Sequence, residues 1–216
     1  MIVEDCLDAH PGFFLINAAR ALVAVALLGT ALPSAAPLTV RYDEQRFTTC
    51  EEAAQYAREH DTVGRYQYRI GARLENGFAA ATGASGYRAA ARVRFSLEPE
   101  FSVLELPQWS WPGQSAAQRS ELAQFVESVR LHEMGHRLLA ERALRGRDAQ
   151  IGVYGKDAES AKRRLRERFA ALLSDLTKEI AEKENLYDRV TDHGIHQSEA
   201  EAYGFPAGPD IVFSCR

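Results

Sequence analysis

The segment His132-Glu133-Met134-Gly135-His136 places two imidazoles four residues apart, with a carboxylate beside the first. On a helix, residues i and i+4 project from one face a turn apart, so both rings can bind a single tetrahedral ion. Glu133 then stands next to the ion rather than on it, near the coordination position left for water. Zinc lowers the pKa of bound water to roughly 7, and a carboxylate there can take the proton as the water attacks a carbonyl. These residues predict metal-assisted hydrolysis, with His132 and His136 as ligands and Glu133 as general base. The competing reading is two core histidines beside a surface glutamate, which leaves each of these groups in need of another partner.

Catalytic zinc usually takes three protein ligands, so a third must come from elsewhere in the chain. His193 and His196 lie in the polar stretch Tyr187 to Gln197. That stretch reads as a loop following a long helix, with no packing reason to hold two histidines. His193 is the expected third ligand, with Gly194 allowing close backbone approach. His196 is the alternative, and Glu199 or Glu201 would serve in a set of two histidines and one glutamate. Tyr187 is expected to act as an oxyanion donor, core packing being its other role. Asp188 or Asp192 could orient a ligand imidazole through its second nitrogen, or cap the loop. Trp109 and Trp111 either line a cleft or, flanked by Pro107 and Pro112, form a rigid packed turn.

The elements that must hold these groups follow from periodicity. Ser115 and Gln118 form a capping-box pattern that opens a helix, and Gly146 stops it. Leu122, Phe125, Val126, Val129, His132, Glu133, His136 and Ala140 fall along one stripe of that helix. A second amphipathic helix is expected from about Asp157 to Asn185, and the basic run from Lys162 to Arg168 falls on its solvated face. Ahead of the helices, alternation over residues 65–74 and 91–98 predicts two half-buried strands joined by the small-residue loop Gly77 to Gly86. Leu38 to Tyr42 and Phe101 to Leu106 add shorter strands, Cys50 to His60 reads as a short helix, and Pro107 to Gly113 breaks the pattern. The fold expected is α+β and zincin-like, a small, mostly antiparallel sheet packed on the metal-bearing helix with a second long helix beside it.

Three segments of the chain resemble a bacterial family of uncharacterised proteins, the domain of unknown function family 922 (DUF922). They are Leu106 to Trp109, the HExGH helix at His132 to His136, and the Y-D-x-x-T-x-H-G-x-x-Q run from Tyr187 to Gln197. The resemblance implies a secreted zinc-dependent protease and carries ligand or catalytic roles to His132, Glu133, His136 and His193. It does not extend to the basic second helix or to the tail from Ser198 to Arg216.

With 216 residues, 46% of them hydrophobic and 26% charged, the chain has the composition of one globular domain. Residues 13–38 are apolar apart from Arg20 and end in small residues, so 1–36 reads as an export signal and 37–216 as one metallohydrolase domain. An uncleaved membrane anchor is the alternative, and the acidic start at Glu4, Asp5 and Asp8 does not suit a signal peptide. The formal net charge of −4 gives no electrostatic reason to expect nucleic acid. In an oxidising compartment Cys50 and Cys215 read as one disulfide, two separate buried thiols being the alternative. The function expected is that of an exported zinc metallopeptidase acting on peptide or protein substrates. A non-catalytic zinc-binding protein of the cell envelope is the second expectation.

Overall fold

The computed structural model describes residues 21–25, 38–60, 63–82 and 86–215. The expected export segment 1–36 lies outside these residues except for the backbone of strand β1 (Ala21–Val25). The other strands are β2 (Thr39–Arg46), β3 (Arg65–Ala81), β4 (Tyr87–Leu97), β5 (Val103–Ser110) and β6 (Ala149–Gly155). The helices are α1 (Cys50–Glu59), α2 (Ala116–Leu144) and α3 (Ala158–Thr191). Short 3-10 turns occupy Pro99–Phe101 and Gln197–Tyr203.

The main sheet has the order β2-β5-β3-β4-β6, and β1 pairs with β3 off this path. The β3–β4, β3–β5 and β4–β6 pairs are antiparallel, whereas β2–β5 and β1–β3 are parallel. The alternation legible in the sequence is realised. Tyr66, Tyr68, Ile70 and Ala72 of β3, with Ala91 and Val93 of β4, are buried. Arg65, Arg92 and Arg94 pair with Glu105, Asp148 and Glu75. Helices α2 and α3 pack against each other and against the sheet.

Three expected boundaries move, each for a physical reason. Strand β3 runs through the first half of Gly77 to Gly86, because a bulge between Glu75 and Phe78, with Asn76 at φ 52°, absorbs the break in register. Strand β5 continues through Pro107 to Ser110. Its pairing with β3 covers only Val103 to Glu105, so the missing amide of Pro107 interrupts no β3 ladder while β2 pairs along the other side. Helix α3 runs to Thr191 rather than Asn185, so Tyr187 and Asp188 are helical and not in a loop. Its buried face continues at helical spacing through Ile180, Glu184, Tyr187 and Thr191, and the polar types at those positions disguise the stripe. Strand β6, which extends the sheet beyond β4, was not expected from the sequence.

The long helices start as their sequences dictate. Ser115 and Gln118 cap α2 reciprocally, and Asp157 and Ser160 do the same for α3. Helix α2 ends at Leu144, and Gly146 takes φ 72° just beyond. The residues of the basic run on α3 flank the buried Leu165 and are exposed, apart from the half-buried Lys162. Cys50 and Cys215 are disulfide-bonded across 165 residues. Beside them Trp109, at the end of β5, and Trp111 pack with Phe47, Tyr56, Phe125 and Phe213, so the tryptophans are buried in the core rather than forming a turn or a cleft wall. No helix among the described residues is long and apolar enough to cross a membrane.

Candidate metal centre

The middle of α2 faces the C-terminal third of α3, and there the chain brings together His132, His136 and Asp188. The Nε2 atoms of His132 and His136 lie 3.3 and 3.0 Å from the same Asp188 oxygen, Oδ1. Two ligands ~2.0–2.1 Å from a tetrahedral ion stand ~3.4 Å apart, so these separations suit a shared cation. Both histidines are buried, while the Asp188 side chain keeps 21% of its surface exposed and forms the open side of the group.

Two packing features hold the rings. The Tyr187 ring stacks on His132, with centroids 4.8 Å apart, and meets His136 edge-on. Gly135 makes room for it, since a Cβ there would stand 2.6 Å from the Tyr187 hydroxyl. This explains the glycine inside the HExGH segment: the helices approach to aromatic-ring thickness at that point. Behind His132, Gly194 at φ 95° lets the backbone close on the ring, and a Cβ there would stand 3.2 Å from His132 Nδ1. Thr191 fixes this turn by donating its hydroxyl to the Tyr187 carbonyl, 2.8 Å away, and by accepting from the Gly194 amide, 3.2 Å away.

Glu133 points from the same helix toward the sheet. Its Oε2 accepts the Tyr66 amide of β3 at 2.7 Å, so the carboxylate is tied to a strand rather than left to solvent. A further acid, Glu184, lies one turn before Asp188 on α3. It is 2% exposed and accepts the Tyr68 hydroxyl at 2.8 Å. Three carboxylates therefore surround two imidazoles in a mostly buried space, an excess of negative charge that a cation would balance.

The protonation equilibria reflect that excess. Burial opposes the charge on His136, but the Asp188 hydrogen bond and the fields of Glu133, Asp188 and Glu184 push it up to about 9. Burial pushes Glu184 up to about 7 against the opposing pull of His136 and Tyr68. Burial also opposes ionisation of Asp188, yet hydrogen bonds from His132 and His136 hold it well below the usual carboxylate range. These shifts favour a protonated His136 paired with an ionised Asp188. A metal ion would take that proton's place, since a ligand imidazole must present a bare nitrogen.

Of the residues expected from sequence, His132, Glu133 and His136 meet at this centre. His193 does not join the group. It is exposed at φ 52°, just past the end of α3, and its amide donates to the Asp188 carbonyl at 2.8 Å. His196, Glu199 and Glu201 are exposed as well. Tyr187 is fully buried with its hydroxyl against Gly135, and its ring packs on both histidines. Asp188 was expected to orient a ligand ring or cap the loop. It faces the Nε2 atoms of both His132 and His136 instead. Glu184 went unread, though an acid on the continuing stripe of α3 was the signal that could have found it.

No curated protein and no solved structure matches this chain. A family model described as "Bacterial protein of unknown function (DUF922)" matches residues 57–194, a span that runs from α1 through the HExGH helix to Gly194. The chain therefore belongs to the bacterial DUF922 family.

Proposed function

We propose that the protein is a zinc-dependent hydrolase of zincin-like build that acts on peptide bonds, with His132, His136 and Asp188 as the metal ligands. The observation that carries this reading is the convergence of His132, His136 and Asp188 ligand atoms within 4.8 Å of one another, with the Glu133 carboxylate on the histidine-bearing helix. Zinc, when bound, would polarise the scissile carbonyl and acidify the attacking water. Glu133 accepts the proton from that water and returns it to the leaving amine, a role that needs a fixed carboxylate. The Tyr66 amide supplies the fixing by holding Oε2 while Oε1 stays available. The Cys50–Cys215 disulfide is consistent with an exported protein.

The deep burial of both histidines favours a second reading, a closed structural metal site in a binding protein of the cell envelope. Glu133→Gln separates the two. The hydrolase loses cleavage of a peptide library by at least ~100-fold while keeping its metal, whereas a binding protein cleaves nothing in either form. Metal analysis of both proteins accompanies the assay. Wild-type protein that holds no divalent metal would end both readings.

A further inference from the structure

The metal group is backed by a piece of chain that lies outside the matched family segment. Beyond Gly194 the tail passes through a 3-10 turn and returns without regular secondary structure from Gly208 to Cys215. The Ile211 amide donates to the Gly194 carbonyl at 2.9 Å, and the Ile211 side chain packs directly on Gly194. Gly194 in turn lies beside the His132 ring, since a Cβ added to it would stand 3.2 Å from Nδ1. The far end of the tail is anchored twice. Phe213 is buried among Trp109, Trp111 and Phe125, and Cys215 is bonded to Cys50 at the start of α1. The path from the disulfide to the ligand His132 is thus a short run of packed backbone: Cys215, Phe213, Ile211, Gly194.

We propose that this tail is a strap that holds His132 in its metal-binding orientation, and that the Cys50–Cys215 disulfide couples metal affinity to the redox state of the surroundings. The inference rests on the metal reading above and adds a means of regulation to it. Cys50 is buried, whereas Cys215 is partly exposed, so an external thiolate reaches the Cys215 sulfur first. Exchange with a dithiol reductant breaks the S–S bond, delivers two electrons and two protons to Cys50 and Cys215, and leaves the reductant as a disulfide. The strap then keeps only its hydrogen bonds and Phe213, and the Gly194 turn behind His132 gains freedom to move. Hydrogen-bond partners behind a metal ligand are worth roughly 10- to 100-fold in metal affinity, which bounds from above the effect expected of a packing contact.

The test measures Co2+ affinity by chelator competition, alongside amide exchange, on the full chain as wild type, C50S/C215S and Ile211→Ala. The last variant keeps the disulfide, so it probes the same path should the serine variant fold poorly. Val93→Ala, a cavity in the sheet core away from the tail, controls for general loss of stability. The expected result is a roughly tenfold or greater weakening in C50S/C215S and Ile211→Ala but not in Val93→Ala, with faster exchange at Gly194 and Ile211. Wild-type affinity in both strap variants overturns the strap and leaves the metal reading standing. Equal weakening in Val93→Ala also overturns it, and absence of Co2+ binding by wild type overturns both.

Discussion

Asp188→Asn and His193→Ala distinguish two assignments of the third ligand. Asp188 Oδ1 lies 3.3 and 3.0 Å from the two histidine nitrogens and is the anionic donor of the group, so its loss leaves a two-histidine site. Changes outside the ligand shell cost up to ~100-fold in metal affinity, or ~2.8 kcal/mol, and removal of a ligand should exceed that. His193 is exposed and outside the group, so its removal should change affinity by no more than about twofold. Asparagine keeps the shape of Asp188 but not its charge, and the metal-free variant should also lose stability near pH 7. A fully buried ion pair broken on one side costs ~3–5 kcal/mol, and the 21% exposure of Asp188 lowers the expectation to ~2 kcal/mol. Co2+ titration and urea unfolding of the three proteins read both numbers. An Asp188→Asn protein that binds like wild type, beside a His193→Ala protein that does not bind, would refute the reasoning.

Three other outcomes follow from the same geometry. Gly135→Ala drives a methyl group into the Tyr187 ring, so it should lower the midpoint of chemical denaturation by an amount worth ~1–3 kcal/mol and weaken Co2+ binding, and an unchanged midpoint would contradict the packing described. For metal-free protein, the folded pKa values of His136 and Glu184 both stand above their unfolded values, so the stability each contributes is present at low pH and lost as pH rises through about 9 and about 7. Unfolding free energy should therefore fall from pH 6 to pH 9 by up to ~4 kcal/mol, and saturating Zn2+ should abolish that fall; a level metal-free profile would count against it. Glu184→Gln keeps a partner for the Tyr68 hydroxyl while removing a buried charge, so in metal-free protein it should raise stability at pH 8 and leave it nearly unchanged at pH 4.5, as a pair of denaturation curves would reveal.

Features that local periodicity and side-chain chemistry encode were legible from residue order alone. Ser115 with Gln118 set the start of α2, the i, i+4 histidines and Glu133 set one side of the centre, and the alternation around Tyr66 to Leu74 set the central strand. Cys50 and Cys215 were legible as a pair because the third cysteine, Cys6, falls in the expected export segment. Only the tertiary structure decided which distant donor meets those histidines. Asp188 and His193 lie five residues apart in one motif, and in a loop either could turn inward. Because α3 keeps its helical turn through Thr191, Asp188 stays on the side facing α2, and His193 falls beyond the helix end on the solvent side. The length of that helix rests on Glu184, Tyr187 and Thr191 being buried against α2 and β3, and residue types alone do not reveal such burial. A helix fixes side-chain direction residue by residue, so a difference of six residues in where it ends changes which group reaches the metal.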